Sequence, residues 1–181
     1  MITIKLDLDG VVRDFVGSFH RTYLKVYPQH KDLIKPINGW GLEKSYPIGD
    51  KIYQFMYEDY VREVFFGADA YPGAVEFAKS LKKLGIIHIT TSQPPGTEMP
   101  TLQWLKKYNI QYDAISFIHD KTVIRGTFLI DDALHNLVAE AKAGTSIPIA
   151  INRPWNVEWD GWKFDTYEQI LKFVSEKYKR K

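Results

Sequence analysis

From Tyr71 onward the chain alternates short apolar runs with amphipathic stretches, and this grammar limits the fold more than any other feature. Ala74 to Leu84 reads as a helix with Gly85 as its C-terminal stop. Ile86-Ile87-His88-Ile89 then reads as a buried strand leading into Thr90-Thr91-Ser92. A helix from Met99 to Tyr108 follows, then strands at Ala114 to Ile118 and Thr127 to Ile130, the second running into Asp131-Asp132. A helix from Ala133 to Lys142 and a strand from Ile147 to Ile151 continue the pattern. Thr166 caps a last helix whose inward positions are Ile170, Leu171 and Val174. Repeated strand-then-helix units require an α/β architecture, a parallel sheet covered by helices on both faces.

The first 70 residues follow a different rule. Ile2 to Leu6 reads as a strand ending at Asp7, with a turn at Gly10. Phe15, Phe19, Tyr23 and Tyr27, spaced by four, mark one face of a helix that Pro28 ends. Residues 36–50 hold Pro36, Gly39, Gly41, Pro47 and Gly49 and read as an irregular loop around Trp40. A second helix is expected from Asp50 to Val64, buried through Ile52, Phe55, Met56 and Tyr60. The chain thus divides into an α/β core, 1–13 and 71–181, and a helical insertion, 14–70.

Bulk properties exclude several classes of function. With Lys plus Arg at 24 and Asp plus Glu at 22, the net charge of +2 carries no strong nucleic-acid signal. The basic tail Lys177 to Lys181 reads as a solvated helix end. No cysteine is present, so disulfides and thiolate metal sites are out, and a reducing compartment fits. No basic, apolar leader opens the chain, and no apolar run reaches the ~20 residues that span a bilayer. The expectation is a soluble cytoplasmic protein with no membrane partner. A homodimer stays open.

Three polar clusters each sit at the C-terminal end of an apolar strand: Asp7/Asp9, Thr91/Ser92 and Asp131/Asp132. In open parallel sheets ligands bind beyond the carboxyl ends of the strands, so the clusters can share one cleft. Converging carboxylates repel one another and call for a cation or a retained proton. All-oxygen ligation without His or Cys suits a hard ion, and Mg²⁺ best where phosphate and water complete the shell. Thr91 and Ser92 offer hydroxyls and backbone N–H groups near a helix start, and Lys121 offers a positive charge. Each element alone is an ordinary surface motif. Together they form the set that phosphoryl transfer needs, which is positioning plus charge neutralisation.

In this order the motifs resemble those of the haloacid-dehalogenase-like phosphatases, and more closely the 5'(3')-deoxyribonucleotidases. The resemblance rests on Asp7-Leu8-Asp9-Gly10-Val11-Val12, Asp14-Phe15, Phe65-Phe66, Tyr71-Pro72-Gly73-Ala74-Val75-Glu76, Thr91-Ser92, Asp120-Lys121-Thr122-Val123 and Leu129-Ile130-Asp131-Asp132. It runs from residue 2 to about residue 152. It implies a Rossmann-like core with a helical cap, and a magnesium-dependent phosphatase whose substrate is a small phosphate ester, a (deoxy)nucleoside monophosphate. Asp7 would be the nucleophile and Asp9 the acid and base. Mg²⁺ would be held by Asp7, the backbone carbonyl of Asp9, and Asp132, with Asp131 in support. Thr91, Ser92 and Lys121 would hold the phosphate. Phe15, Trp40 and Phe66 would meet the substrate's base.

The alternatives are another small phosphate ester, a nucleic-acid terminal phosphate, or a nucleotide-binding module without turnover. The sequence also departs from its resemblance. Arg13 stands where similar nucleotidases carry a small residue, and is expected to point outward unless it reaches a substrate phosphate. Thr101 stands where a second phosphate-contacting lysine would be. Trp155, Trp159 and Trp162 read as one aromatic cluster, for packing or for a partner.

Overall fold

A computed structural model of the chain describes residues 1–39 and 41–179, apart from the side chains of Tyr178 and Lys179. Trp40 and the last two tail residues therefore lie outside the described residues. Six parallel strands form one sheet: β1 (Ile2–Leu6), β2 (Gly85–Thr91), β3 (Ala114–Phe117), β4 (Phe128–Asp131), β5 (Ile147–Ile151) and β6 (Trp162–Phe164). Their order in space is β3-β2-β1-β4-β5-β6. β1 lies between β2 and β4, so the chain reverses its direction of travel across the sheet beside β1. That reversal opens a crevice at the strands' carboxyl ends.

The helices are α1 (Phe15–Val26), α2 (Lys51–Gln54), α3 (Val61–Phe65), α4 (Ala74–Leu84), α5 (Glu98–Lys107), α6 (Leu134–Ala143) and α7 (Tyr167–Lys179). Strands covered on both faces are apolar throughout rather than alternating, and β4 is buried at every position. β1 carries one exception, Lys5, which is fully buried. Its ammonium donates to Glu140 Oε2 at 2.7 Å and to the carbonyls of Lys121 at 3.1 Å and Ile124 at 2.8 Å. The buried charge thus braces the short 3₁₀ turn Lys121–Val123 against the sheet.

Gly85 caps the C-terminus of α4, as expected, and is at the same time the first residue of β2, in extended backbone opposite Ile2. A Cβ there would lie 2.2 Å from the Ile2 carbonyl, so the glycine serves close strand approach. Two expectations need correction. The helix expected over 50–64 is broken. Tyr60 leaves helical geometry at φ −128°, and its N–H bonds to the Phe55 carbonyl five residues back, making a π-type turn between α2 and α3. Finally, the three tryptophans form no single aromatic cluster, although Trp159 Nε1 donates to the Trp162 carbonyl at 3.1 Å. Trp159 is buried with Leu137 and Ala150, Trp162 lies on the edge strand beneath Lys177, and Trp155 enters the site.

Besides the small group of Leu137, Ala150 and Trp159, two larger clusters of buried side chains coexist. One surrounds the sheet. The other is aromatic and drawn from residues 19–65, with Phe19, Tyr23, Tyr46 and Phe55 in tilted and edge-on contact. The chain leaves the sheet region and returns to it at one place: Arg13 bridges Ala70, Asp14 N–H bonds to the Asp69 carbonyl, and Tyr71 N–H bonds to the Val12 carbonyl.

Candidate active site

Asp7 follows β1, Thr91 ends β2 and Asp131 ends β4, so three adjacent strands deliver the three polar clusters to one crevice. The backbone then turns sharply. The N–H groups of Val11, Val12 and Arg13 all point at the Leu8 carbonyl, and Gly10 takes φ +75°. A Cβ on Gly10 would come within 1.8 Å of Asp132 Oδ2, so both backbone angle and space demand glycine. Gly10 lets the turn carrying Asp9 pass directly over Asp132.

One carboxylate oxygen from each of Asp7, Asp131 and Asp132 lies within 4.8 Å of the other two, and all three residues are buried. Lys121 Nζ stands among them, 2.9 Å from Asp7 Oδ1 and 2.6 Å from Asp131 Oδ2. Asp131 is held further by Ala133 N–H at 2.8 Å and by Asn136 Nδ2 at 3.2 and 3.3 Å. Its oxygens are thus engaged by protein donors. Asp132 accepts from Trp155 Nε1 at 2.8 Å, and Asn156 Nδ2 donates to the Asp132 backbone carbonyl at 2.8 Å.

One lysine does not balance three buried carboxylates. Burial pushes Asp7 up to about 7, with Lys121 opposing and Asp131 and Asp9 adding to the rise. Asp132 is likewise raised, first by burial and then by Asp7 and Asp131. For Lys121, burial alone would lower the pKa, but Asp131 and Asp7 together hold it above the ordinary lysine value. The oxygen-only donor set of Asp7, Asp131 and Asp132 can coordinate a hard divalent cation, which would supply the missing charge.

The sign of the pH dependence follows. Asp7 has a folded pKa of about 7, above its ordinary 3.8, so it favours the metal-free fold when protonated and costs stability as pH rises between those values. A cation on ionised carboxylates reverses that cost. Adding Mg²⁺ is therefore expected to raise the melting temperature more at pH 8 than at pH 5. Melts with Mg²⁺ against chelator measure this directly, and an equal shift at both pH values would refute it.

Thr91 and Ser92 line the same cavity, and Ser92 Oγ donates to the Ile118 carbonyl at 3.2 Å. They are not at a helix start, as the sequence led us to expect. α5 begins only at Glu98, beyond Pro94 and Pro95, so Thr91 closes β2 and Ser92 opens the loop that follows it. Phe15 lines the cavity, joined by Met56, Tyr57 and Phe65. Phe66 is not among the lining residues; its ring packs against Arg62 at 4.6 Å and Lys107 at 5.5 Å. Successive helical residues diverge by about 100°, so at the end of α3 it is Phe65 that faces inward. The Tyr57 hydroxyl is pushed up to about 12 by burial and then by the Asp9 charge.

Arg13 reverses its expectation. It is fully buried, and its guanidinium grips Asp9 with Nε–Oδ1 at 2.7 Å and Nη2–Oδ2 at 3.0 Å. Arg13 Nη1 also donates to Thr101 Oγ1 at 3.1 Å, so the two positions that depart from the resemblance touch each other. Gln93 and Trp155, which sequence reasoning passed over as site residues, complete the surroundings of Asp9 and Asp132.

A Rossmann-like parallel sheet bearing aspartates at the ends of two neighbouring strands and a lysine between them defines the haloacid-dehalogenase-like phosphatases. Within that superfamily, the chain belongs to the family described as 5' nucleotidase, deoxy (pyrimidine), cytosolic type C, whose model matches residues 1–174. A Chlorobaculum tepidum protein provisionally named a 5'(3')-deoxyribonucleotidase is 26% identical over 188 residues, covering 96% of this chain and 92% of its own. The fold matches a haloacid-dehalogenase-like hydrolase of Streptococcus pneumoniae with TM-score 0.70 at 17% identity, over 96% of this chain and 98% of that one. It also matches a Bacillus subtilis hydrolase of the superfamily solved with magnesium, with TM-score 0.61 at 14% identity, over 96% and 98% of the two chains.

Proposed function

We propose that this protein is a magnesium-dependent phosphatase of nucleoside monophosphates, with deoxyribonucleotides preferred, working through an aspartyl-phosphate on Asp7. The observation that carries the chemistry is the contact of Asp7 Oδ1 with buried Lys121, beside the carboxylates of Asp131 and Asp132. A nucleophilic carboxylate must meet a dianionic phosphate, and that encounter needs fixed positive charge. Lys121 supplies part of it. Asp7, the Asp9 backbone carbonyl and Asp132, with Asp131 in support, would hold Mg²⁺, which when bound would supply the rest of the positive charge. The magnesium-bound structural relative supports this choice of ion.

Thr91 and Ser92 then hold the phosphate for in-line attack. The Asp7 oxygen bonds to phosphorus as the ester oxygen leaves, and Asp9 gives that oxygen a proton. Water next attacks the phosphorus of the aspartyl-phosphate, Asp9 takes its proton, and Asp7 is freed with inorganic phosphate. Residues 14–70 act as a cap over the site. Their separate aromatic core and the adjoining chain crossings at Arg13 and Ala70 support that division. Phe15, Phe65 and Tyr57 offer apolar and aromatic walls for a base within reach of Asp7. The name of the Chlorobaculum relative and the family description favour a deoxynucleotide.

The test is phosphate release with Mg²⁺ from dUMP, dTMP, ribonucleotides, 3'-monophosphates and sugar phosphates. Deoxynucleoside monophosphates are expected to lead in kcat/KM by on the order of tenfold. Equal or better turnover of sugar phosphates would remove the nucleotide reading and leave a phosphatase of other esters.

A further inference from the structure

Arg13, Gln93 and Thr101 make a closed circuit with Asp9. Arg13 donates to both Asp9 oxygens, Gln93 Nε2 donates to Asp9 Oδ2 at 2.7 Å, Thr101 Oγ1 donates to Gln93 Oε1 at 2.7 Å, and Arg13 Nη1 donates back to Thr101. The direction of each bond is forced. Arg13 has no acceptor, so the Thr101 oxygen accepts from it and its single proton goes to Gln93. That choice turns the Gln93 oxygen to Thr101 and its NH₂ to Asp9. Arg13 and Thr101 are fully buried, and Gln93 nearly so. Among the described residues, the only ion pair of Arg13 is with Asp9.

We propose that Arg13, Gln93 and Thr101 are positioning residues that clamp the Asp9 carboxylate in one orientation, with Oδ1 as the oxygen that exchanges a proton with the leaving group. The proposal rests on the role given to Asp9 above. The side chain of Asp9 is 23% exposed at the mouth of a turn, where an unbraced carboxylate would sample several rotamers. A swing away would strand a buried guanidinium without its counter-ion, which is strongly unfavourable. The circuit also loads the two oxygens unequally. Among the described residues, Oδ2 accepts from Arg13 and Gln93, whereas Oδ1 accepts from Arg13 Nε alone, which leaves it a lone pair. Arg13 ties the clamp to the cap as well, with Nη1 3.4 Å from the Phe65 carbonyl and the guanidinium 5.0 Å from the Phe65 ring that lines the cavity.

A positioned acid matters when the leaving group is a poor one and little when it is good. The experiment compares kcat/KM for dUMP, an alkyl ester, with kcat/KM for p-nitrophenyl phosphate. Both constants report the step in which the ester bond breaks. Thr101→Val and Gln93→Met keep volume and remove one link each; Arg13→Lys keeps the charge and loses the fork. Each is expected to lower kcat/KM for dUMP by about 10- to 100-fold while changing that for p-nitrophenyl phosphate by less than about threefold. Asp9→Asn is expected to show the same selectivity more strongly. If Asp9→Asn is selective and the properly folded Thr101→Val and Gln93→Met are not, the clamp is refuted and the role of Asp9 stands. If Asp9→Asn itself loses both esters equally, that role falls and the clamp falls with it.

Discussion

Asp7→Asn is expected to lower phosphate release from every monoester by on the order of 10⁴-fold or more, because the amide cannot form the phosphoryl bond. The fold is expected to survive. The substitution removes one negative charge from a buried cluster where burial already pushes Asp7 up to about 7, so ionising it costs more in the fold than in the unfolded chain. At pH 8 without metal, the variant's melting temperature should therefore equal or exceed that of the parent. Loss of activity together with retained stability separates a nucleophile from a structural carboxylate. Full activity in Asp7→Asn would sink the mechanism. Retained activity on only some esters would instead point to a second nucleophile.

The sheet was legible in the sequence because parallel strands covered on both faces are written as unbroken apolar runs. β5 matches its expected bounds, and β1 does so even though Lys5 interrupts its apolar pattern. What escaped was set by contacts between distant residues. β6 is three residues long and carries no pattern of its own; it exists because it pairs with β5 at the sheet edge. The break at Tyr60 was hidden for a similar reason. Its neighbours Ile52, Phe55 and Met56 keep a helical apolar spacing, and only the backbone reveals the π-type turn.

The site divided along the same line. Asp7, Thr91 and Asp131-Asp132 could be placed together because each stands at a strand end, which fixes its neighbourhood from local sequence. Lys121, in the 3₁₀ turn Lys121–Val123, entered only through its charge and the order of the motifs. Arg13 could not be read that way. A lone arginine is ordinarily at the surface, and its inward turn depends on Asp9, Thr101 and the rings of Phe65 and Trp104 at 5.0 and 5.3 Å. Trp155 reaches Asp132 across 23 positions, a contact that no spacing rule announces.

Lys121 carries the second large effect, and here activity and stability should fail together. Its ammonium has a side-chain exposure of only 2% and bridges Asp7 and Asp131, so Lys121→Met leaves two buried carboxylates without their cation. Breaking a buried pair by removing one partner costs about 3–5 kcal/mol. The loss should depend on pH. Lys121 is the principal group opposing the rise of Asp7, so without it the folded-state pKa of Asp7 moves further above the ordinary 3.8. A carboxyl raised in this way favours the fold while protonated, and its contribution is lost as pH climbs through the folded value. The deficit of the variant in urea unfolding should accordingly be larger at pH 8 than at pH 5. Phosphate release should fall by about 10²- to 10⁴-fold, since the fixed charge facing the transferring group is gone. Mg²⁺ should recover part of the stability at pH 8 by neutralising the carboxylates, but it cannot restore a donor on Asp7 Oδ1. An equal deficit at both pH values would show that Lys121 supports the fold through packing rather than through its charge.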